Sequence, residues 1–337
     1  MKIGVIGLGS MGKRRIRNLI QLGFDDIVGY DLRHDRVEEV QNLYPVAISS
    51  LWEDFCGKGR FDCVVISVPP AVHNYYLQWC IDSYTPCFVE ASVILDGLSS
   101  LNKLSLDRGV LIAPSCTLRF HPAVKCIRDW VISGKAGKIS NVIHISGQYL
   151  PDWHVYEAVS DYYVSTKETG GAREIVPFEL TWLLEILGWP SSVFGMYAKT
   201  IEIDGASGID DTYNIVMQFE SSFLSLTVDV VSRKATRRFL LNGSLGQIIW
   251  NWDEHRVCFY GPQDYIEHFD YEPKAAHVGY NKNITEEMYE EEMRAFISAV
   301  RGDSSFPNNL SDDIRILEIL EASEQSFQTR KILDLKS

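Results

Sequence analysis

The sequence predicts an α/β chain with an N-terminal Rossmann domain and a C-terminal α/β domain built on a large, open, mostly antiparallel sheet. Three observations carry this. A glycine-rich turn, Gly7-Leu8-Gly9-Ser10-Met11-Gly12, follows an apolar run that begins at Ile3. The first third of the chain alternates short β-branched runs with helical stretches, as in a parallel sheet with right-handed crossovers. After Pro122 the texture changes to one strand-like run after another, punctuated by turn residues. At 337 residues the chain is too long for one ordinary core and fits two domains of about 100–200 residues. These are expected at 1–120 and 121–337, with the last helix free to pack back on the first domain.

Taken in order, Lys2–Gly7 reads as a strand and Met11–Leu22 as a helix. Ile27–Tyr30 is the second strand and Arg36–Leu43 the next helix. Cys63–Ser67 is a buried strand, Tyr75–Ser83 a helix and Pro86–Val89 a strand. Leu98–Arg108 and Val110–Ala113 complete the alternation. Beyond it come a helix at Ala123–Ser133 and a long strand at Ile139–Tyr149. A loop rich in aromatic and charged residues precedes a helix around Val176–Leu187. Strand-like runs follow at Ser192–Ile201, Thr212–Phe219, Phe223–Val231, Arg237–Asn242, Gln247–Asn251 and Arg256–Tyr260. An amphipathic helix, Ser311–Thr329, closes the chain, with cap chemistry at Asn308 to Ser311.

A formal charge of −13 argues against nucleic acid or an anionic membrane as partner, because counterion release needs clustered Lys and Arg. The densest basic stretch, Lys13-Arg14-Arg15 with Arg17, lies in the first helix. No run approaches the roughly 18–20 apolar residues of a membrane span. The first apolar run is a strand leading into a turn, so no signal peptide is expected. Seven scattered cysteines without a C-x-x-C pair read as reduced thiols in a cytoplasm. Eight histidines form no H-x-x-x-H or H-E-x-x-H arrangement, so no metal site is expected.

The glycine turn is G-x-G-x-x-G between a strand and a helix, the context that gives this pattern meaning. Gly7 allows the tight turn, Gly9 lets backbone N–H groups approach a pyrophosphate, and Gly12 lets the helix pack close to the strand. Ser10 and Met11 open the helix whose N-terminus faces the negative charge. Asp31 ends the second strand nineteen positions after Gly12, where a carboxylate holds the ribose hydroxyls. It also repels a 2′-phosphate, so NAD is expected, while Arg33 and Arg36 leave NADP open. Ser67, Val68 and Pro69 follow the third long strand at the ligand edge of such sheets, with His73 shortly after. Glu90 ends the next strand, near the expected nicotinamide end.

These residues resemble the glucose–fructose oxidoreductase and inositol dehydrogenase family of NAD(P)-dependent sugar dehydrogenases. The likeness continues in Arg119-Phe120-His121-Pro122, in Ser133-Gly134-Lys135-Ala136-Gly137-Lys138-Ile139 and in the Asp-rich start of the last helix. It implies a carbohydrate-like small molecule as substrate and a homodimer or homotetramer formed through the second-domain sheet. The family's Glu-Lys-Pro motif is here Glu90-Ala91-Ser92, without its lysine. Its second motif, two glycines followed by Asp and then His, falls at Gly170-Gly171, with Ile175 for the Asp and Phe178 or Glu179 for the His. The usual proton-transfer groups are therefore missing.

Two functions remain open on the sequence. In one, the chain is an oxidoreductase that moves a hydride to or from a sugar, sugar acid or nucleotide sugar with other acid/base groups, since oxidising an alcohol requires a base near the hydroxyl. His154 leads, then Glu174 and Glu179, which stand about 140° apart on a helix. Arg119 and Arg173 offer bidentate contacts or simple ion pairs. Tyr149, Trp153 and Tyr156 suit a sugar-stacking wall. Leu150-Pro151-Asp152-Trp153 resembles a stretch kept in a branch of the family tied to cell-surface sugar biosynthesis. In the other, the chain is a catalytically inactive regulatory or scaffold protein that binds NAD.

Overall fold

The computed structural model describes residues 1–154, 157–272 and 285–335. The chain divides into two units, one of Met1–Thr117 with Tyr289–Ile314, the other of Leu118–Met288 with the residues from Arg315 on. The second unit is interrupted where the chain returns to the first unit between Tyr289 and Ile314. The reason is cover for the first sheet: Phe296 and Phe306 pack on Phe88, with ring centres 5.8 and 6.2 Å apart.

The first unit runs β1 (Ile3–Ile6), α1 (Ser10–Gln21), β2 (Ile27–Tyr30), α2 (His34–Leu43), β3 (Ala47–Ser49), α3 (Trp52–Cys56), β4 (Cys63–Ile66), α4 (His73–Asp82), β5 (Cys87–Val89), α5 (Leu98–Arg108) and β6 (Ile112–Pro114). Its sheet has the order β3-β2-β1-β4-β5-β6, with every pair parallel. Every residue of β1 and β4 is buried, which is why these strands read as unbroken apolar runs. Strand order reverses between β1 and β4, so their carboxyl ends form the switch point where such sheets take ligands. The unread elements, β3 and α3, are three and five residues long. Trp52 and Phe55 of α3 stack on each other and pack on Tyr30.

The second unit runs α6 (Pro122–Ile132), β7 (Ile139–Tyr149), α7 (Ala172–Leu187), β8 (Ser192–Ala198), β9 (Thr212–Gln218), β10 (Phe223–Asp229), β11 (Val231–Gly243), β12 (Gln247–Asn251), β13 (Arg256–Tyr260) and β14 (Ile266–Asp270). Then come α8 (Glu286–Arg301), mostly in the first unit, α9 (Leu310–Thr329) and β15 (Leu333–Asp334). Among the described residues nine strands lie in the order β14-β13-β12-β11-β7-β10-β9-β8-β15. Only β7 with β10 is parallel; the other pairs are antiparallel. Along β9 and β10 buried and exposed residues alternate, so one face of the sheet is covered and the other open.

Helix α7 starts four residues before the expected Val176, because Gly171 turns the chain at φ 62° and Ala172 begins the helix. Pro177 sits inside it and withholds one N–H from the helix ladder. The early start puts Glu174 in the first turn. Among the described residues no helix is long and apolar enough to cross a membrane, and no group of three or more His, Cys, Asp or Glu could hold a metal ion. The seven cysteines form no disulfide.

Candidate active site

In the first unit the glycine turn is built as tightly as its spacing implies. Gly7 has φ 89°, and a side chain on it would collide with the Ser67 carbonyl. A side chain on Gly12 would collide with the Gly7 carbonyl, so the start of α1 lies directly against β1. Gly9 is extended and precedes Ser10 and Met11 at the first helical positions. The first N–H groups of a helix have no partner within it, and here they crown a cradle that only glycine permits. These residues fit a dinucleotide's pyrophosphate.

Asp31 closes the cradle from β2. Its Oδ2 accepts the Leu8 N–H at 2.7 Å and its Oδ1 the Arg33 N–H at 2.8 Å. The carboxylate thus pins the glycine turn to the end of β2. The Arg36 guanidinium stands 3.8 Å from Asp31 and would touch any side chain placed on Gly9. The Arg33 side chain is half exposed and paired with Asp35.

Across the switch point, Ser67 donates from its N–H to the Ile6 carbonyl and from its Oγ to Glu90. Val68 gives its carbonyl to His73 Nε2 at 2.9 Å, which fixes the proton on that nitrogen. Burial pushes the His73 pKa down to about 4, so the ring is neutral and acts as a brace for the Val68–Pro69 turn. Glu90 is gripped by Arg15 at 2.7 and 2.9 Å. Arg15 in turn meets Glu292 of α8, whose carboxylate also accepts from Ser115 Oγ, Cys116 N–H and Thr117 Oγ1. Sequence reasoning missed Arg15 and Glu292. The first sat in a basic run and the second in an acidic one, and both look like solvated charge.

In the second unit Glu174 is the unusual group. Tyr163 Oη donates to its Oε1 at 2.6 Å, while Oε2 is shut from solvent without a hydrogen-bond partner. Burial raises its pKa to about 7, against the opposing pull of the Tyr163 bond. Sequence reasoning missed Tyr163, one of several tyrosines in that loop with no spacing to mark it. Glu179 faces elsewhere. Its Oε1 accepts from Arg237 Nε and Nη2 at 3.0 and 2.8 Å, and its Oε2 contacts His144 Nε2 and Trp182 Nε1, each at 2.9 Å. Burial alone would raise its pKa, but Arg237 and His144 hold it well below the carboxylate range.

The remaining candidates are placed as follows. Arg119 donates from Nε to the Thr181 carbonyl at 2.8 Å and lies 3.7 Å from Glu185. Arg173 pairs with Glu324 and donates to the Glu168 carbonyl, so both arginines are ion-paired within their own unit. His154 packs on the Tyr162 ring at 4.7 Å with Glu157 3.7 Å from its Nδ1. Tyr149 and Trp153 are part-buried at the end of β7 and just beyond it. Tyr156 lies outside the described residues.

Residues 2–83 match the model of the NAD binding domain of 6-phosphogluconate dehydrogenase. No curated protein sequence matches the chain. Solved structures align over its whole length. An oxidoreductase from Agrobacterium radiobacter, in complex with NAD+, L-tartaric acid and magnesium, is 13% identical with a TM-score of 0.85, over 99% of this chain and 98% of that one. A levoglucosan dehydrogenase in complex with NADH and L-sorbose is 16% identical with a TM-score of 0.83, over 100% and 99%. An oxidoreductase domain protein from Kribbella flavida is 15% identical with a TM-score of 0.83, over 100% and 99%. Residues 2–83 thus match an NAD-binding domain, and the chain has the fold of these solved structures.

Proposed function

We propose that this chain is an NAD-dependent oxidoreductase acting at a hydroxyl-bearing carbon of a sugar or sugar-like molecule, with Glu174 as its proton-transfer group. The observation that carries this is the Glu174 carboxyl, held near pKa 7 by burial with one oxygen bound by Tyr163 and the other unpartnered. A carboxyl half protonated near neutral pH serves as base in one direction and acid in the other. Alcohol oxidation removes a proton from oxygen and a hydride from carbon, and Glu174 Oε2 takes the proton. NAD supplies the hydride acceptor. Gly7, Gly9, Ser10, Met11 and Gly12 hold its pyrophosphate, Asp31 its ribose, and Ser67, Val68 and Pro69 flank it with His73 and Glu90 as braces. His154 stands second as the acid/base group. Arg119 and Glu179, committed to contacts within their unit, act as supports. The sugar class is supported by the levoglucosan dehydrogenase and by the motif resemblance.

Fluorescence titration with NADH and NADPH tests the cofactor half. NADH is expected to bind more tightly, and Asp31→Asn to weaken it and narrow the gap. If neither nucleotide binds at millimolar levels, the reading falls. A sugar screen with wild type and Glu174→Gln tests the catalytic half. NADH binding without turnover of any sugar would make the chain a cofactor-binding regulator instead.

The open sheet face supports pairing with a second copy of the chain. One row across it runs Cys258, Ile249, Leu240, Ile143, Ser225, Val216 and Phe194, residue beside residue on seven strands. Ile143, Val216, Phe223 and Met196 are half exposed. Apolar residues so placed are what a self-complementary interface buries. Sedimentation should show a dimer or tetramer that Ile143→Lys with Val216→Lys dissociates; a wild-type monomer would overturn this.

A further inference from the structure

We infer that the second unit binds its substrate by an anionic group, a carboxylate or a phosphate, held by Arg233 on the face of Tyr149. The inference rests on the proposed function for the presence of a small-molecule substrate and names the class to which that substrate belongs.

The geometry begins with a bulge. Strand β11 pairs with β7 at Val231 opposite Tyr149 and again at Thr236 opposite Gly147. Five steps along one strand therefore face two along the other, and residues 232–235 stand out from the ladder. Large bulges of this kind re-aim side chains beside functional sites. This one is held at its base. The Asp229 carboxylate accepts from Val231 N–H at 3.1 Å, Ser232 N–H at 2.8 Å and Ser232 Oγ at 3.0 Å. Gly147 is required beneath it, since a side chain there would lie 2.8 Å from Asp229 Oδ2.

Two cations near Arg233 have carboxylate partners. Lys234 reaches Asp253 at 2.6 Å, and Arg237 reaches Glu179. Arg233, raised by the bulge, has no carboxylate partner among the described residues and lies over the Tyr149 ring at 3.8 Å. A guanidinium held against an aromatic face keeps a fork of N–H donors that matches the paired oxygens of carboxylate and phosphate.

Arg233 also stands at the end of the unit that carries Glu174. Leu150, next to Tyr149, donates to the Val230 carbonyl; Val230 donates to Asp211; and Ala172, the first residue of α7, donates to Asp210. The end of β7, the turn into β11 and the first turn of α7 are thereby tied into one corner. Backbone bonds thus connect the strand ends that carry Tyr149 and Arg233 to the start of the helix that carries Glu174.

The test is calorimetric binding to the NADH-loaded protein of three probes: glucose, glucuronate and glucose 1-phosphate. One anion is expected to bind at least about tenfold more tightly than glucose, as a charge-assisted bond implies. Glucuronate leading assigns a carboxylate, and glucose 1-phosphate a phosphate. Arg233→Ala should erase the preference, and Arg233→Lys should restore it only in part. NADH affinity, which belongs to the first unit, should stay unchanged in both variants and report intact folding. Equal binding of all three probes, no binding of either anion, or an anion preference that survives Arg233→Ala would overturn the inference. An Arg233-dependent anion preference without turnover would leave it standing while the acid/base reading fails. Glu174-dependent turnover with no anion preference would do the reverse.

Discussion

The guanidinium of Arg15 grips Glu90 through two parallel bonds, Nε to Oε1 at 2.7 Å and Nη2 to Oε2 at 2.9 Å. The same Nη2 lies 2.9 Å from Glu292 Oε2, and neither the Arg15 nor the Glu292 side chain has any exposure. One buried cation thus serves two carboxylates. Burial raises the Glu292 pKa even with Arg15 beside it, so the pair depends on that cation staying in place. Arg15→Ala is expected to destabilise the first unit by about 3–5 kcal/mol, the usual result of leaving buried charge unpaired. Arg15→Lys should recover only part, because an ammonium lacks the fork. Urea unfolding decides it, and an Arg15→Ala protein within about 0.5 kcal/mol of wild type, a surface-like value, would show the network to be idle.

Much of this fold was legible, for physical reasons. Strands β1 and β4 are buried on both faces and read as unbroken apolar runs, and Gly7 and Gly12 carry close backbone approaches that no side chain survives. What escaped was short or charged. Strand β3 has three residues, too few for any period to show. Helix α8 begins Glu286-Glu287 and runs through Glu290, Glu291 and Glu292, which reads as a solvated acidic stretch. Its apolar positions Tyr289, Met293, Phe296 and Ile297 do keep helical spacing and are buried. Nothing in sequence says which glutamate of the run turns inward. The candidate site divided the same way: backbone chemistry at the cofactor turn was readable, whereas the Tyr163 contact that singles out Glu174 depends on how a loop folds.

Glu179 offers a contrast with Glu174 five residues earlier. It is tied to Arg237, His144 and Trp182 and held below the ordinary carboxylate range, so it stays ionised. A depressed folded pKa contributes stability that is present above about pH 4.3 and lost as pH falls through the folded value. Glu179→Gln leaves Arg237 without its anion and is expected to cost about 3–5 kcal/mol at pH 7. The cost should shrink in acid, while NADH affinity stays unchanged. Chemical unfolding at pH 7 and pH 4 checks this, and an equal cost at both would remove the ion pair as its cause.

His121 should make the second unit sensitive to acid. Its ring stacks on Trp252 at 4.9 Å, and its Nδ1 accepts the Ala123 N–H that caps α6. Burial, with Arg237 nearby, drives its pKa down to about 3. An unfolded histidine titrates near pH 6.5, so stability is full above that value and declines as pH drops toward 3. His121→Phe keeps a stacking ring but loses the cap, which lowers stability by about 1 kcal/mol at neutral pH. Its Tm should then fall less than that of wild type between pH 7 and pH 4.5. Parallel Tm curves would show that acid acts through other groups.

The Glu174 carboxyl has the opposite sign. With its folded pKa near 7 and an ordinary value of about 4.3, folding takes up a proton between those two pH values. Stability from this site therefore declines as pH rises through that window and levels off above it. Glu174→Gln removes the ionisation and keeps an oxygen to accept the Tyr163 hydroxyl. The Tm of the variant relative to wild type should climb from pH 4.5 to about 7.5 and then hold. Alcohol oxidation by wild type should rise through pH 7 as the base ionises. In the glutamine variant it should drop by about 10²–10⁴-fold, the usual contribution of a general base. The two readouts separate structure from chemistry: a climbing Tm difference with turnover intact would make Glu174 a buried carboxyl outside the reaction. The acid/base role would then pass to His154, to be tested by His154→Ala on the same pH profile.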